Sequence, residues 1–374
     1  MNPALENFLR LYSLKGVGPK FLKRFYRTVG TFEGDLEDLV DLFAEREGLP
    51  PAKVERLKAA LEESEREFER LVRFLEREKV KVIPFFEADF PSDLRKVGEE
   101  VAALFAVGRF DYSTGFSIVG TRKASREGRL KASAFAAELA RAGFMVVSGG
   151  AEGVDLAAHE GALAAGGRTA VVLGEGLARY LERNRPFAER VLESGGFLVS
   201  QFPPFFAPAK WSFPKRNALI AVLGLFGLLV VEAPERSGAL ITADYALRLR
   251  RPLFAYVGCT YQPNYAGSVE LVSEKGAKLV VDPRRLVKVL TSGRREGSEP
   301  PGERTPAVSP PKGETEGPSS AGKKVLDLLR ERPRTFDELL ALTGAAPEEL
   351  LTLLTELEVE GAVVCEGGFY RFAG

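Results

Sequence analysis

Apolar residues along the first fifth of the chain recur at helical spacing and nowhere alternate as a strand would. Across Lys53–Arg77 the positions Leu57, Leu61, Phe68, Leu71, Val72 and Leu75 fall on roughly one helical face, and the residues before them are equally helical in pattern. From Lys79 the texture changes. Val80–Phe85 reads as a strand, and a loop with proline and acids around Asp89–Pro91 leads to the apolar run Ala103–Gly108. Strands and helices then alternate: strands at Phe116–Gly120, Phe144–Ser148, Thr169–Gly174, Phe197–Ser200, Leu228–Glu232, Leu253–Val257 and Lys278–Val281, with helices at Arg126–Ala142 and through His159. Short apolar strands separated by helical stretches predict a parallel, doubly wound α/β sheet. Residues 292–320, rich in Gly, Pro, Ser, Glu and Arg, have too little apolar surface to order themselves and read as a linker. Beyond it, Lys323–Arg330, Phe336–Leu342 and Pro347–Gly361 are helical patterns, followed by Ala362–Cys365, a Gly367-Gly368 turn and Phe369–Phe372, which together predict a winged helix. The expected divisions are 1–78, 79–291, 292–320 and 321–374.

Composition narrows the chemistry. With 374 residues, two to four domains are expected. The 52 basic and 52 acidic residues balance, so no global field draws polyanions and any phosphate binding must be local. Two cysteines, Cys259 and Cys365, lie far apart and no Cys/His cluster has metal-ligand spacing; neither zinc nor a disulfide is expected. No leader-like start and no run of about 18 apolar residues occurs, so the expectation is a cytoplasmic protein with no membrane contact.

Against that balance, Gln201–Val231 contains no Asp or Glu. Its apolar half, Ala218–Val231, reads as core, where burial alone excludes acids. The polar half interleaves Lys210, Lys215 and Arg216 with Trp211 and Phe213, the pairing of cations for phosphates with rings for bases that single-stranded nucleic acid binding uses. Three further loops follow predicted strands: Gly120-Thr121-Arg122, Ser148-Gly149-Gly150 and Ser237–Thr242. Ligands of open parallel sheets bind beyond the carboxyl ends of strands, where glycines admit phosphates and helix N-termini offer amides. The hydroxyls of Thr121, Ser148 and Ser237 add donors, and Arg122 suits a phosphate or acidic ligand. Neither a Gly-x-Gly-x-x-Gly fingerprint nor a Walker A sequence is present, so no dinucleotide or nucleotide cofactor is expected. His159, the only histidine, has no nucleophile or metal partner in sequence and reads as a packing or capping residue, with Asp155 capping that helix or holding the glycine loop. Leu14–Pro19, Leu-Lys-Gly-Val-Gly-Pro, resembles a helix-hairpin-helix turn, either a DNA-phosphate contact or a packing hairpin.

Four segments carry a family resemblance: Ile-Val-Gly-Thr-Arg (118–122), Val-Ser-Gly-Gly-Ala-Glu-Gly-Val-Asp-Leu-Ala-Ala-His-Glu-Gly-Ala-Leu (147–163), Phe-Pro-Lys-Arg-Asn (213–217) and Ser-Gly-Ala-Leu-Ile-Thr-Ala (237–243). In this order they resemble the DprA (Smf) family, DNA-processing proteins of bacterial transformation, over nearly the whole chain. The resemblance implies a helical SAM-like (helix-hairpin-helix) domain, an extended Rossmann-like domain and a winged helix. It also implies a non-catalytic homodimer, formed through the Rossmann-like domain, that protects incoming single-stranded DNA during natural transformation (competence) and DNA recombination and loads RecA recombinase. Carried over, Arg122 and Lys210 would hold phosphates, Phe213 would pack on a base, and Ser148–Gly150 would line the pocket; Gly120, Thr121, Lys215, Arg216, Asn217, Ser237, Gly238 and Thr242 complete the set. Departures are Glu152 for a cation, Ala218 for a second arginine, Gln201 for a glutamate and Tyr180-Leu181 for Tyr-Pro. The competing reading is a Rossmann-like nucleotide-processing enzyme of the phosphoribohydrolase type, whose Pro-Gly-Gly-x-Gly-Thr motif is replaced here by Glu235-Arg-Ser-Gly-Ala-Leu-Ile-Thr. The winged-helix segment sets 6 cations against 10 carboxylates, net −4, which predicts contact with protein or its own chain rather than with duplex DNA.

Overall fold

Five helices, Pro3–Ser13, Pro19–Val29, Leu36–Glu47, Pro51–Glu63 and Glu65–Arg77, open the chain. The computed structural model describes residues 2–98, 100–258, 262–292, 320–359, 362–366 and 369–372. Three of these helices begin with proline, whose missing N–H costs nothing at a first helical turn. Asn2 and Asp35 cap two of them by accepting from the amides of Leu5 and of Glu37 and Asp38. The helical pattern over Lys53–Arg77 is divided at Ser64, where ψ is near 1° and the hydroxyl donates to the Leu61 carbonyl. A side chain competing for the backbone in this way is invisible to hydrophobic spacing.

Nine strands form one sheet: β1 (Lys81–Pro84), β2 (Ala103–Gly108), β3 (Gly115–Val119), β4 (Met145–Gly149), β5 (Thr169–Leu173), β6 (Phe197–Ser200), β7 (Leu228–Val230), β8 (Leu253–Ala255) and β9 (Lys278–Leu279). Their spatial order is β1-β2-β6-β5-β4-β3-β7-β8-β9. The sheet is parallel and doubly wound as expected from β6 to β9, and at the other edge β1 pairs antiparallel with β2 and β2 with β6. Between β1 and β2 the chain forms the four-residue helix Asp93–Lys96. From β6 to β9 every pairing is parallel. β3, β4 and β5 are buried along their whole length, as strands covered by helices on both faces must be. Tyr12 stacks on Phe105 of β2, ring centroids 6.3 Å apart, so the N-terminal helices and the antiparallel edge share apolar packing.

The C-terminal segment folds as helices Ser320–Glu331, Phe336–Thr343 and Pro347–Val359 with strands β10 (Arg334–Thr335), β11 (Val363–Glu366) and β12 (Phe369–Phe372), ordered β10-β12-β11. This is the winged helix the pattern predicts. The two-residue β10 was not foreseen, since two residues carry no period. Thr335 and Glu338 make a reciprocal capping box at the second helix. Among the segment's contacts with the rest of the chain, Lys131 Nζ donates to Thr352 Oγ1 at 3.2 Å. Residues 293–319 of the expected linker, the Gly367-Gly368 turn and Cys259 lie outside the described residues. Among the described residues no helix is long and apolar enough to cross a membrane, and no His/Cys/Asp/Glu group is arranged to hold a metal.

Candidate nucleic-acid interface

The strand order reverses between β3 and β7: β4, β5 and β6 lie to one side of β3, and β7, β8 and β9 to the other. Such a switch point is where open α/β sheets bind ligands, because the loops leaving the two strands diverge and leave a crevice. The loops after β3, β4 and β7 therefore adjoin. Thr121 N donates to the Glu232 carbonyl at 2.7 Å and Val154 N to the Thr121 carbonyl at 3.2 Å, which ties the three together. The buried Glu232 carboxylate accepts from Ser125 Oγ at 2.9 Å and from Asn264 Nδ2 at 2.7 Å, and so fixes the start of helix Arg126–Arg141 and the loop carrying Arg122. Arg122 itself is exposed, its guanidinium 4.6 Å from the centre of the Phe213 ring.

The polar half of the acid-free segment is partly helical rather than a loop, because helix Ser212–Leu223 starts inside it. Ser212 is buried and donates to the Gly174 carbonyl at 2.5 Å, while Pro214 sits in the first turn, where proline is tolerated. Helical geometry then separates residues that sequence places together. Lys215 faces out with its ammonium 5.2 Å over Trp211, whereas Arg216 and Asn217 point inward. Arg216 donates through Nη1 to the Val172 carbonyl and through Nε to Asn217 Oδ1 at 3.2 Å; Asn217 Nδ2 donates to the Gly238 carbonyl at 3.0 Å. Both brace the loops, and neither presents a donor to solvent.

Gly149 has a related task. A Cβ there would come within 2.5 Å of Asp155 Oδ2 and would also strike the Arg216 guanidinium, so the glycine makes room for a buried pair of opposite charges. Burial raises the Asp155 carboxyl to about 6 although the Arg216 charge and the Ala151 amide pull it down. Burial likewise lowers Arg216 below its ordinary value, with Asp155 opposing that shift. Asp155 thus holds the glycine loop, one of the two roles read for it from sequence.

The other candidates divide between surface and interior. Lys210 and Gly150 are exposed, as is Gly238, where a side chain would meet nothing within 4 Å. Thr121 and Ser237 are half-buried; their oxygens accept from Lys123 N and Ala239 N, each at 3.2 Å, and their O–H groups stay available. Ser148 is fully buried and donates to the Ile118 carbonyl at 2.6 Å, so its hydroxyl is not the outward donor expected of it; Thr242 is buried in helix Gly238–Arg248. Gly120 is half-buried against Val154. Phe213 is half-buried, packed so closely on Gly174 that a side chain there would lie 2.6 Å from the ring. The most open ring is Trp211, 52% exposed, edge-on to Phe206 at 5.5 Å, which in turn stacks on Phe202 at 4.6 Å. Trp211, the chain's only tryptophan, is one of the two rings read with the cations of the acid-free segment, although the residues carried over from the family do not include it. Of the departures, Glu152 is exposed beside Gly150, whereas Ala218 is wholly buried and leaves the surface charge unaltered.

His159 is packed away from solvent between Thr169, 2.7 Å from Nδ1, and the Gly149 carbonyl, 3.0 Å from Nε2. Burial lowers its pKa to about 4, so it is the neutral ring that donates from Nε2 and accepts at Nδ1. The unfolded chain protonates this histidine near its ordinary 6.5, the folded chain only near 4. Acid between those values therefore favours unfolding, by roughly 3 kcal/mol for this group alone. Asp155 opposes it: with a raised folded pKa, its protonated form adds stability below about 6. Thermal melting is expected to show His159→Gln gaining on the wild-type protein as pH falls from 6.5 toward 4; a difference independent of pH contradicts this.

The hairpin residues Leu14–Gly18 join the first two helices through Gly16 at φ 88°, with Lys15 and Gly16 exposed. Its geometry suits either reading given above.

Comparison with known proteins places these features in context. The model of the family DNA recombination-mediator protein A matches residues 81–291, and that of the DprA winged helix domain matches 309–368. Protein Smf of Synechocystis is 30% identical over 95% of both chains. The structure of DNA processing protein A from Streptococcus pneumoniae superposes with a TM-score of 0.60 at 26% identity, covering 77% of this chain and 98% of that one. The Helicobacter pylori DNA processing protein A, described for its single-stranded DNA binding mode, has a TM-score of 0.50 at 24% identity over 57% of this chain and 98% of that chain.

Proposed function

The chain belongs to the DprA (Smf) family, and from that premise we propose that it binds single-stranded DNA across the carboxyl ends of β3, β4 and β7, without catalysis. The observation that carries this reading is exposed Arg122 over Phe213, together with exposed Lys210 and Lys215 beside Trp211 in the acid-free segment. Cations take the phosphates, and rings take the bases without regard to sequence. The H. pylori relative's description as a single-stranded DNA binder supports the ligand class.

In the fuller proposal the chain comprises a helical module (1–78), the DNA-binding α/β domain (79–291), a linker (292–320) and a winged helix (321–374). It works in the cytoplasm as a homodimer through the α/β domain, shields strands entering during transformation and passes them to RecA. The acidic winged helix serves protein contact, and the hydrogen bond between Lys131 and Thr352 is one such contact within the chain.

Three cations per site set a testable electrostatic scale. At about −0.7 per phosphate, log affinity for oligo-dT plotted against log salt should fall with a slope near −2 for each protomer. Fluorescence polarisation across a salt series measures it. Binding that ignores salt, or release of base from a nucleoside monophosphate by the purified protein, contradicts the reading. Faster RecA assembly on strands precoated with single-strand-binding protein tests the loading step.

A further inference from the structure

A second basic cleft lies outside the switch-point loops. It opens between helix Glu65–Arg77 and helix Leu177–Glu193, has a volume of about 760 Å³, and is lined by apolar Phe74, Leu181 and Phe205. Arg70, Arg73 and Arg77 project from one wall, Arg179 and Arg185 from the other, against only Glu78 and Glu182. Three of the five arginines are engaged. Arg185 makes a two-pronged pair with Glu78 at 2.8 and 3.0 Å, Arg77 reaches the same carboxylate at 3.0 Å, and Arg73 pairs with Glu69 at 3.3 Å. Arg70 and Arg179 make no ion pair among the described residues and are exposed. Both are gathered on Phe205: the Arg70 guanidinium lies 4.2 Å from the ring centre, and Arg179 Nε donates to the Phe205 carbonyl at 3.4 Å.

Like charges brought together this way repel one another, and an anionic ligand relieves that cost. Two unpaired guanidinium planes beside a half-buried ring are suited to a phosphodiester with its base, since arginine forks bind phosphate and flat faces stack. The cleft also adjoins the first site. Phe205 precedes Lys210 by five residues, so their backbones are at most about 18 Å apart. Between them Phe206, stacked on Phe202, meets the edge of exposed Trp211.

We propose that this cleft is a second subsite for the same strand: single-stranded DNA leaving the Arg122–Lys210 site runs past Trp211 and Phe206 and lays its next phosphates on Arg70 and Arg179. The inference rests on the reading of the switch-point loops as a single-stranded DNA site. It gives the N-terminal helices a share in the interface, because Arg70 belongs to the last of them.

Strand length separates the two subsites. With full-length protein, oligo-dT of about six nucleotides should fill the first site alone, and about twenty should reach the cleft. The R70A/R179A double variant is expected to bind the short strand as the wild type does and the long one at least tenfold more weakly. Its salt slope for the long strand should be smaller by about 1.4, two phosphates' worth. R70K/R179K should restore the slope. Equal loss on both lengths, or no loss on the long strand, overturns the second subsite and leaves the first standing; failure of the wild type to bind either oligonucleotide overturns the reading on which it rests.

Discussion

Arg122→Ala is expected to weaken oligo-dT binding at least tenfold at low salt and to flatten the logarithmic salt dependence by about 0.7. Two effects add at this residue. Its guanidinium is exposed at the switch point, where it can neutralise a phosphate, and it lies over Phe213, so its removal also takes away the cation that holds the ring a base would meet. Lys210→Ala should change the slope by a similar amount with a smaller loss of affinity, because no ring contact goes with it. Phe213→Ala should cost about 1 to 3 kcal/mol with little change of slope. Polarisation titrations at several salt concentrations resolve the three patterns. An unchanged slope in Arg122→Ala would remove this residue from the phosphate path.

Arg216→Ala is expected to injure the fold instead. The guanidinium is buried, and its loss leaves the Asp155 carboxylate in the interior without an opposing charge and vacates the space beside Gly149. Breaking such an arrangement costs roughly 3 kcal/mol or more, which corresponds to a fall in Tm of about 6 to 12 °C for a domain of this size. The sign of the pH dependence follows from Asp155. In the wild type its folded pKa is raised to about 6, and loss of Arg216, whose charge pulls it down, pushes it higher still, so ionising Asp155 above about 6 costs the variant more than the wild type, whereas at lower pH both carry it protonated. The deficit should therefore be largest at pH 7 to 8 and shrink toward pH 5. Asp155→Asn in the same chain should recover part of the loss, as a double-mutant cycle would show. A Tm equal to that of the wild type would contradict the bracing role.

The contrast between Arg122 and Arg216 shows where sequence reading reaches its limit. Alternating apolar runs made the strands legible from Gly115 to Leu279, and the winged helix was visible in its three helical patterns. Convergence of the loops after β3, β4 and β7 followed from a general property of open sheets and from the positions of three glycine turns. Strand direction at the edge was not legible, because antiparallel and parallel strands share the same period of two. Nor was the fate of neighbouring polar residues. Lys215, Arg216 and Asn217 are adjacent in sequence, but a helix beginning at Ser212 turns them by 100° steps, one outward and two inward. Nor does sequence show what a glycine's missing side chain makes room for: beside Gly149 the space is filled by Arg216 and Asp155. The Arg70–Arg179 cleft was hidden altogether, since its two walls are about a hundred residues apart in the chain.

The most direct test of the binding surface is a protection map of lysines on the full-length protein, with and without a saturating oligo-dT strand. Lys210 and Lys215 are predicted to lose reactivity toward an amine-modifying reagent when the strand is present, while exposed Lys53, in the N-terminal helices, keeps its own. Unchanged reactivity at Lys210 and Lys215 in a complex that demonstrably forms would place the DNA elsewhere and contradict the switch-point site.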